Sequence, residues 1–171
     1  LLDDYEPGMK TTEVTQTFVD LKKDLVPLIA AIAKNADKVS DACLHGHFPA
    51  DKQRAFCLSV IERFGVRSDS WRLDPTVHPF ASNSATTDIR ITTKYPEDFI
   101  NPSVFGSMHE CGHGLYENGV SPALERTLLC RGASLGLHES QSRMWENLVG
   151  RSRAAWKYFY PKLQATFPDA F

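Results

Sequence analysis

His109 and His113 stand four residues apart, and Glu110 follows the first of them. On an α-helix, residues four apart lie about 40° apart around the axis, so both imidazoles can reach one metal ion. Glu110 sits about 100° from His109 and about 60° from His113 on the same wheel, too far round to ligate but placed to contact a water at that metal. Zinc hydrolysis needs this arrangement. Neutral imidazoles hold the ion, an open position takes water, and a carboxylate takes the water's proton as it attacks a carbonyl. Chance produces HExxH on the order of once in a hundred chains of this length, or more rarely. A lone histidine such as His47 or His138 carries no such weight and is more often structural. Val104, Met108, Cys111 and Leu115 recur at a 4-3-4 spacing and form an apolar stripe beside the histidines. The two rings should therefore border a cleft, half-buried, with Cys111 a small apolar member of the stripe.

A catalytic zinc takes three protein ligands. The three-histidine pattern HExxHxxGxxH fails here, because Tyr116 stands at the glycine position and Gly119 at the third histidine. That leaves a glutamate. Glu117 lies one turn beyond His113 on the same helix face and cannot converge on the ion. Glu125 falls in a connector, and Glu146 lies two turns deep in the next helical segment. Glu139 is preferred, since it opens that segment after a connector long enough to bring the chain back, with His138 and Gln141 as polar neighbours for the ligands. Without the upstream HExxH, a solvated glutamate favoured by the helix dipole would be the better reading of Glu139.

These residues need elements to hold them. Apolar spacing predicts a helix over "TTEVTQTFVDLKKDLVPLIAAIAKNAD", capped at Thr11 or Thr12 and kinked or split at Pro27. A second helix follows Pro49 and stops at Gly65. From Ser68 the sequence turns to Ser, Thr, Asp and Pro, and within it "DIRITTKY" alternates like a strand. Helix resumes over 98–118 around the two histidines and again from "SLGLHES" onward. The expected fold class is mainly α with a small β-sheet, a zincin-like core on the HExxH helix, in one region spanning 1–171.

The chain resembles the carboxypeptidase Taq family of zinc metallocarboxypeptidases. The resemblance rests on four motifs in the family's order: "HPF" at 78–80, "DIRIT" at 88–92, "HECGH" at 109–113 and "HESQ" at 138–141. Segments such as "LLDDYEPGM" and "SQSRMWEN" extend it along nearly all of the chain. The resemblance implies His109, His113 and Glu139 as metal ligands and Glu110 as the catalytic glutamate. It implies zinc, often replaceable by cobalt, and release of C-terminal residues from peptides with a free C-terminus. A mainly helical fold with a small sheet beside a long groove, and a homodimer, follow from it too. The family's downstream arginine motif and its GxxQDxHW motif are absent, so the chain looks like the central third of such an enzyme, a partial domain. The resemblance also puts His78 and Arg90 at the active site, as candidate substrate-binding residues. Arg90 either takes the substrate carboxylate or pairs with Asp88, His78 either bonds near the cleft or fixes the Pro79 turn, and "DIRITTKY" could pair with an extended peptide.

Composition narrows the alternatives. A net charge of -2 gives no electrostatic case for nucleic acid or an anionic membrane. No apolar run approaches the roughly 20 residues that span a bilayer, and the acidic "LLDDYEPGMK" does not read as a signal peptide. Four cysteines without a CxxC pair read as free thiols in a reducing compartment, the cytoplasm. Two other functions remain in view: a catalytically inactive folded fragment that acts only as a packing or interaction piece, and an endopeptidase of the same metal class.

Overall fold

A computed structural model describes residues 1–67 and 69–171. A short α1 (Leu2–Tyr5) leads into α2 (Thr11–Ala33), then α3 (Ala50–Ile61). Three strands follow: β1 (Trp71–Pro75), β2 (Ala81–Ala85) and β3 (Asp88–Thr93). Then come α4 (Asn101–Asn118), α5 (Leu135–Arg143), a π-helical segment Met144–Gly150 and α6 (Arg153–Thr166). The mainly helical class with a small sheet is what the residue pattern led one to expect.

Two details of the first half differ from expectation. Helix α2 starts on Lys10, not on a threonine cap, and the Glu13 carboxylate accepts the Lys10 backbone N–H at 2.7 Å. An acid in the first turn can answer an unpaired amide as well as a hydroxyl at the cap can. Pro27 lies inside α2 without splitting it. Proline there removes a single hydrogen bond to the preceding turn, which a helix of 23 residues absorbs. Pro49 does precede α3, and Gly65, at φ 109°, ends the turn that follows it.

The sheet order is β1-β3-β2. β1 runs parallel to β3, with Trp71 opposite Ile89 and Leu73 opposite Ile91. β2 runs antiparallel, with Asn83 opposite Ile89 and an irregularity between Asn83 and Ala85. The strand in "DIRITTKY" is therefore the central one. Both its edges are taken, so a peptide cannot add to it. The open strand on the far side is β2, whose sequence Ala-Ser-Asn-Ser-Ala shows no apolar alternation and gave no signal.

Helix α4 is the centre of the molecule, packing on β2 and β3, on α3, on α5 and on the π-helical segment. Val104, Met108 and Cys111 of its predicted stripe are buried among Phe56, Cys57, Val60, Ile89 and Ile91, and Leu115 packs at the edge. Two glycines bracket His113 and let its neighbours approach. A Cβ on Gly112 would stand 2.6 Å from Ser142 Cα of α5, and one on Gly114 would overlap the Trp71 ring and reach Ile89 Cγ2 at 2.7 Å. At those positions glycine sets how closely α5 and the sheet flank the histidines. Helix α2, by contrast, buries none of its residues.

Candidate metal centre

Packing of α4 on α5 through Gly112 brings the start of α5 over the histidines. Glu139 Oε2 lies 3.5 Å from His109 Nε2 and 3.2 Å from His113 Nε2. One donor atom from each of the three lies within 4.8 Å of the others. Two imidazole nitrogens and a carboxylate oxygen so arranged fit a catalytic zinc site, with space left for water and substrate. Burial, then the nearby His138 and His109, lowers the His113 pKa to about 4, so this ring is neutral and able to ligate at neutral pH. Burial tends to raise Glu139, but hydrogen bonds from Ser142 at 3.0 Å and Arg143 at 2.8 Å, with His109, outweigh it and keep the carboxylate ionised.

Glu110 lies alongside, buried on α4 and lining the same cleft. Burial, followed by the charges of Glu139 and Glu146, pushes its pKa up to about 7. A carboxyl poised near neutrality can both take and return a proton, the requirement for general acid–base work.

The other glutamates weighed as third ligand have different partners. Glu146 faces the back of His109, its Oε2 3.0 Å from His109 Nδ1, while Arg143 at 3.2 Å and Arg151 at 2.9 Å fix its two oxygens. It belongs to the π-helical segment, where the wider turn departs from the α-helix that the spacing suggested. Glu117 meets His138 at 2.7 Å, and His138 meets the Nδ1 of His113 at 2.6 Å. Glu125 accepts from the backbone and hydroxyl of Thr86 and pins the β2–β3 connection. A π-helical turn and a histidine–histidine contact leave no spacing signature, so the sequence offered His138 only as a polar neighbour for the ligands and gave Glu146 no such place. The Gly-X-Gly flanking His113 was a usable sign of close approach that went unread.

The cleft has a volume of about 710 Å³, with β2 as one wall (Ala81 to Asn83) and Tyr5, Leu135 and Gly136 on another. His78 lines it, exposed, as the motif suggested. Arg90 does not. Its guanidinium makes a two-pronged contact with Asp88, at 3.1 and 3.0 Å, on the exposed face of the sheet. Alternation along β3 is the reason, since Ile89 faces α4 and the cleft and Arg90 must face the other way. Among the described residues, no helix is long and apolar enough to cross a membrane.

The family profile described as Carboxypeptidase Taq (M32) metallopeptidase matches residues 1–171. Over 167 residues the chain is 44% identical to Thermostable carboxypeptidase 1 of Thermus thermophilus, covering 98% of this chain and 33% of that one. It is 39% identical to Carboxypeptidase 1 of Bacillus subtilis over 171 residues, covering 100% of this chain and 34% of that protein. The crystal structure of the M32 carboxypeptidase from Deinococcus radiodurans R1 superposes with a TM-score of 0.92 at 39% identity, over 98% of this chain and 34% of that one. The chain thus spans about a third of the length of the curated relatives it matches.

Proposed function

The chain belongs to the carboxypeptidase Taq (M32) metallopeptidase family, and on that premise we propose that it is the metal-bearing part of a zinc-dependent carboxypeptidase acting on peptides with a free C-terminus. His109, His113 and Glu139 hold the zinc. The observation that carries the reading is the convergence of these three side chains on one point of the cleft beside the buried Glu110. Zinc held there supplies a Lewis acid for the peptide carbonyl and its attacking water.

The chain's own residues do the rest. The Glu110 carboxylate takes the water's proton and returns it to the leaving amine. The free edge of β2 binds an extended peptide by strand addition, and its position in the cleft wall supports that assignment over β3. His78 contacts the substrate from the rim. Arg90, paired with Asp88, serves the sheet. For the whole protein, a homodimer in the cytoplasm is part of the proposal, with cobalt able to replace zinc; four free thiols support a reducing compartment.

The test is metal content first. Chain purified without chelator should carry about one zinc, as a single set of three ligands requires, and His109→Ala or Glu139→Ala should lose it. Glu110→Gln should keep the zinc and lose at least about 100-fold in hydrolysis, the usual scale of a general base. A metal-free chain that folds equally well sinks the ligand assignment, and hydrolysis that survives Glu110→Gln sinks the mechanism. Cleavage at internal bonds instead of stepwise C-terminal release would identify an endopeptidase. A second reading is an inactive piece that only packs on a partner or on itself. The exposed apolar residues of α2, among them Phe18, Leu28, Ile29 and Ile32, favour it. Bound zinc without hydrolysis is its signature.

A further inference from the structure

The two histidines proposed as ligands are supported from behind in different ways. His109 Nδ1 meets the Glu146 carboxylate directly. His113 Nδ1 meets a second imidazole, His138 Nδ1, at 2.6 Å. His138 Nε2 in turn meets Glu117 Oε1 at 2.7 Å, and the other Glu117 oxygen accepts from Asn83 Nδ2 of β2 at 3.3 Å. The side chains of His113, His138 and Glu117 are only 17–18% exposed. Tyr116 packs edge-on against the His138 ring, 4.9 Å between centroids.

With both rings neutral, protons can be placed along this chain in one satisfactory way. Two imidazole nitrogens at 2.6 Å need one N–H and one lone pair between them. A nitrogen facing an ionised carboxylate with no ion site between them must carry a proton, so His138 holds its own on Nε2, toward Glu117. Its Nδ1 is then a lone pair and must accept. His113 therefore carries its proton on Nδ1, which leaves its Nε2 lone pair for an ion held between it and Glu139. With the rings neutral, reversing a link sets two lone pairs against each other in a partly buried place, which costs a lost hydrogen bond and its desolvation.

We propose that His138 and Glu117 are positioning residues of the metal centre, the chain Glu117–His138–His113 fixing the tautomer and ring orientation of His113. This rests on the reading that His113 ligates zinc. Glu117 acts as the polarity-setting end, and its bond to Asn83 anchors it to the strand that walls the cleft. A merely structural His138 would be held by packing on Tyr116, and phenylalanine would replace it without effect on the metal.

Zinc affinity separates these roles, measured by competition with a chromophoric chelator on the unmodified chain, on His138→Phe and on Glu117→Gln. The ¹⁵N shifts of the His113 ring in each zinc-loaded protein give an independent readout. His138→Phe should weaken zinc binding about 10- to 100-fold, the usual scale for partners of a ligating histidine. The hydrogen-bonded Nδ1–H signal of His113 should vanish with it. Glu117→Gln keeps size and an acceptor while removing the charge, and should cost about tenfold. If His138→Phe folds, zinc binding within twofold of the unmodified chain with His113 shifts unchanged overturns the proposal and leaves the zinc reading standing. If His138→Phe does not fold, Glu117→Gln decides by the same criterion. An unmodified chain that binds no zinc overturns the proposal together with the reading beneath it.

Discussion

Helices α2 and α4 carry the same kind of signal in the sequence, and the fold treats them in opposite ways. Each shows apolar residues at three- and four-residue spacing, and each forms close to its predicted span. The stripe of α4 is covered by α3, the sheet and α5, and Met108 and Cys111 are fully buried. The stripe of α2 is covered by nothing comparable. Phe18, Leu21, Leu28, Ile29 and Ile32 are each at least half exposed. Periodicity therefore fixes that a segment is helical and which side of it is apolar, while the identity of the cover depends on the rest of the protein. Since this chain spans about a third of its curated relatives, the two helices also differ in what they support. Helix α4 has what it needs to place its histidines here, and among the described residues α2 has no face to pack on.

The comparison can be broken by perturbing each helix and measuring stability and association. The largest effect should come from Met108→Ala, which empties a fully buried site between α4 and its neighbours and should cost about 2–5 kcal/mol of unfolding free energy in a denaturant titration. A loss under about 0.5 kcal/mol, the scale of a neutral surface change, would mean that α4 is not the centre of the core. Gly112→Ala comes next. Its Cβ meets the Ser142 backbone of α5, so it should cost about 1–3 kcal/mol as overpacking and also weaken zinc binding, because α5 carries Glu139. Stability lost without any change in zinc affinity would show that the α4–α5 spacing does not set the ligand geometry. The smallest effect on stability belongs to α2. Exchanging Phe18 and Ile29 together for serine should leave the unfolding free energy within about 0.5 kcal/mol while lowering self-association in analytical ultracentrifugation. Marked destabilisation by that pair would mean that α2 is packed after all and the contrast is false.

Much of the site was legible because helix geometry is local. The spacing of His109, Glu110 and His113 on one helix decides their mutual angles whatever surrounds them. Glu139 could be preferred because a ligand must come from a separate element that returns to the helix, and few acidic residues qualified. Neither argument reaches across the fold. Glu117 was set aside as unable to converge on the ion, yet it meets the histidine behind His113. Glu146 was weighed as a ligand and instead braces His109, because a π-helical turn brings it there. Arg90 was left between the substrate carboxylate and Asp88, and it pairs with Asp88 on the face of the sheet away from the cleft, because strand alternation decides faces once the neighbours are known.

The sequence alone settled the mainly helical class, the helix that carries the histidines, the direction of its buried face and the donor types available for a metal. Those follow from backbone periodicity and side-chain chemistry, which act over one or two turns. Tertiary structure alone decided that β3 is the central strand and β2 the edge strand on the cleft, that Glu139 comes within 3.5 Å of both histidines while Glu146 and His138 meet their Nδ1 atoms, and that α2 stays exposed. These depend on contacts between residues far apart in the chain, such as Gly112 with Ser142 and Gly114 with Trp71, whose close approach is set by packing and not by any local preference.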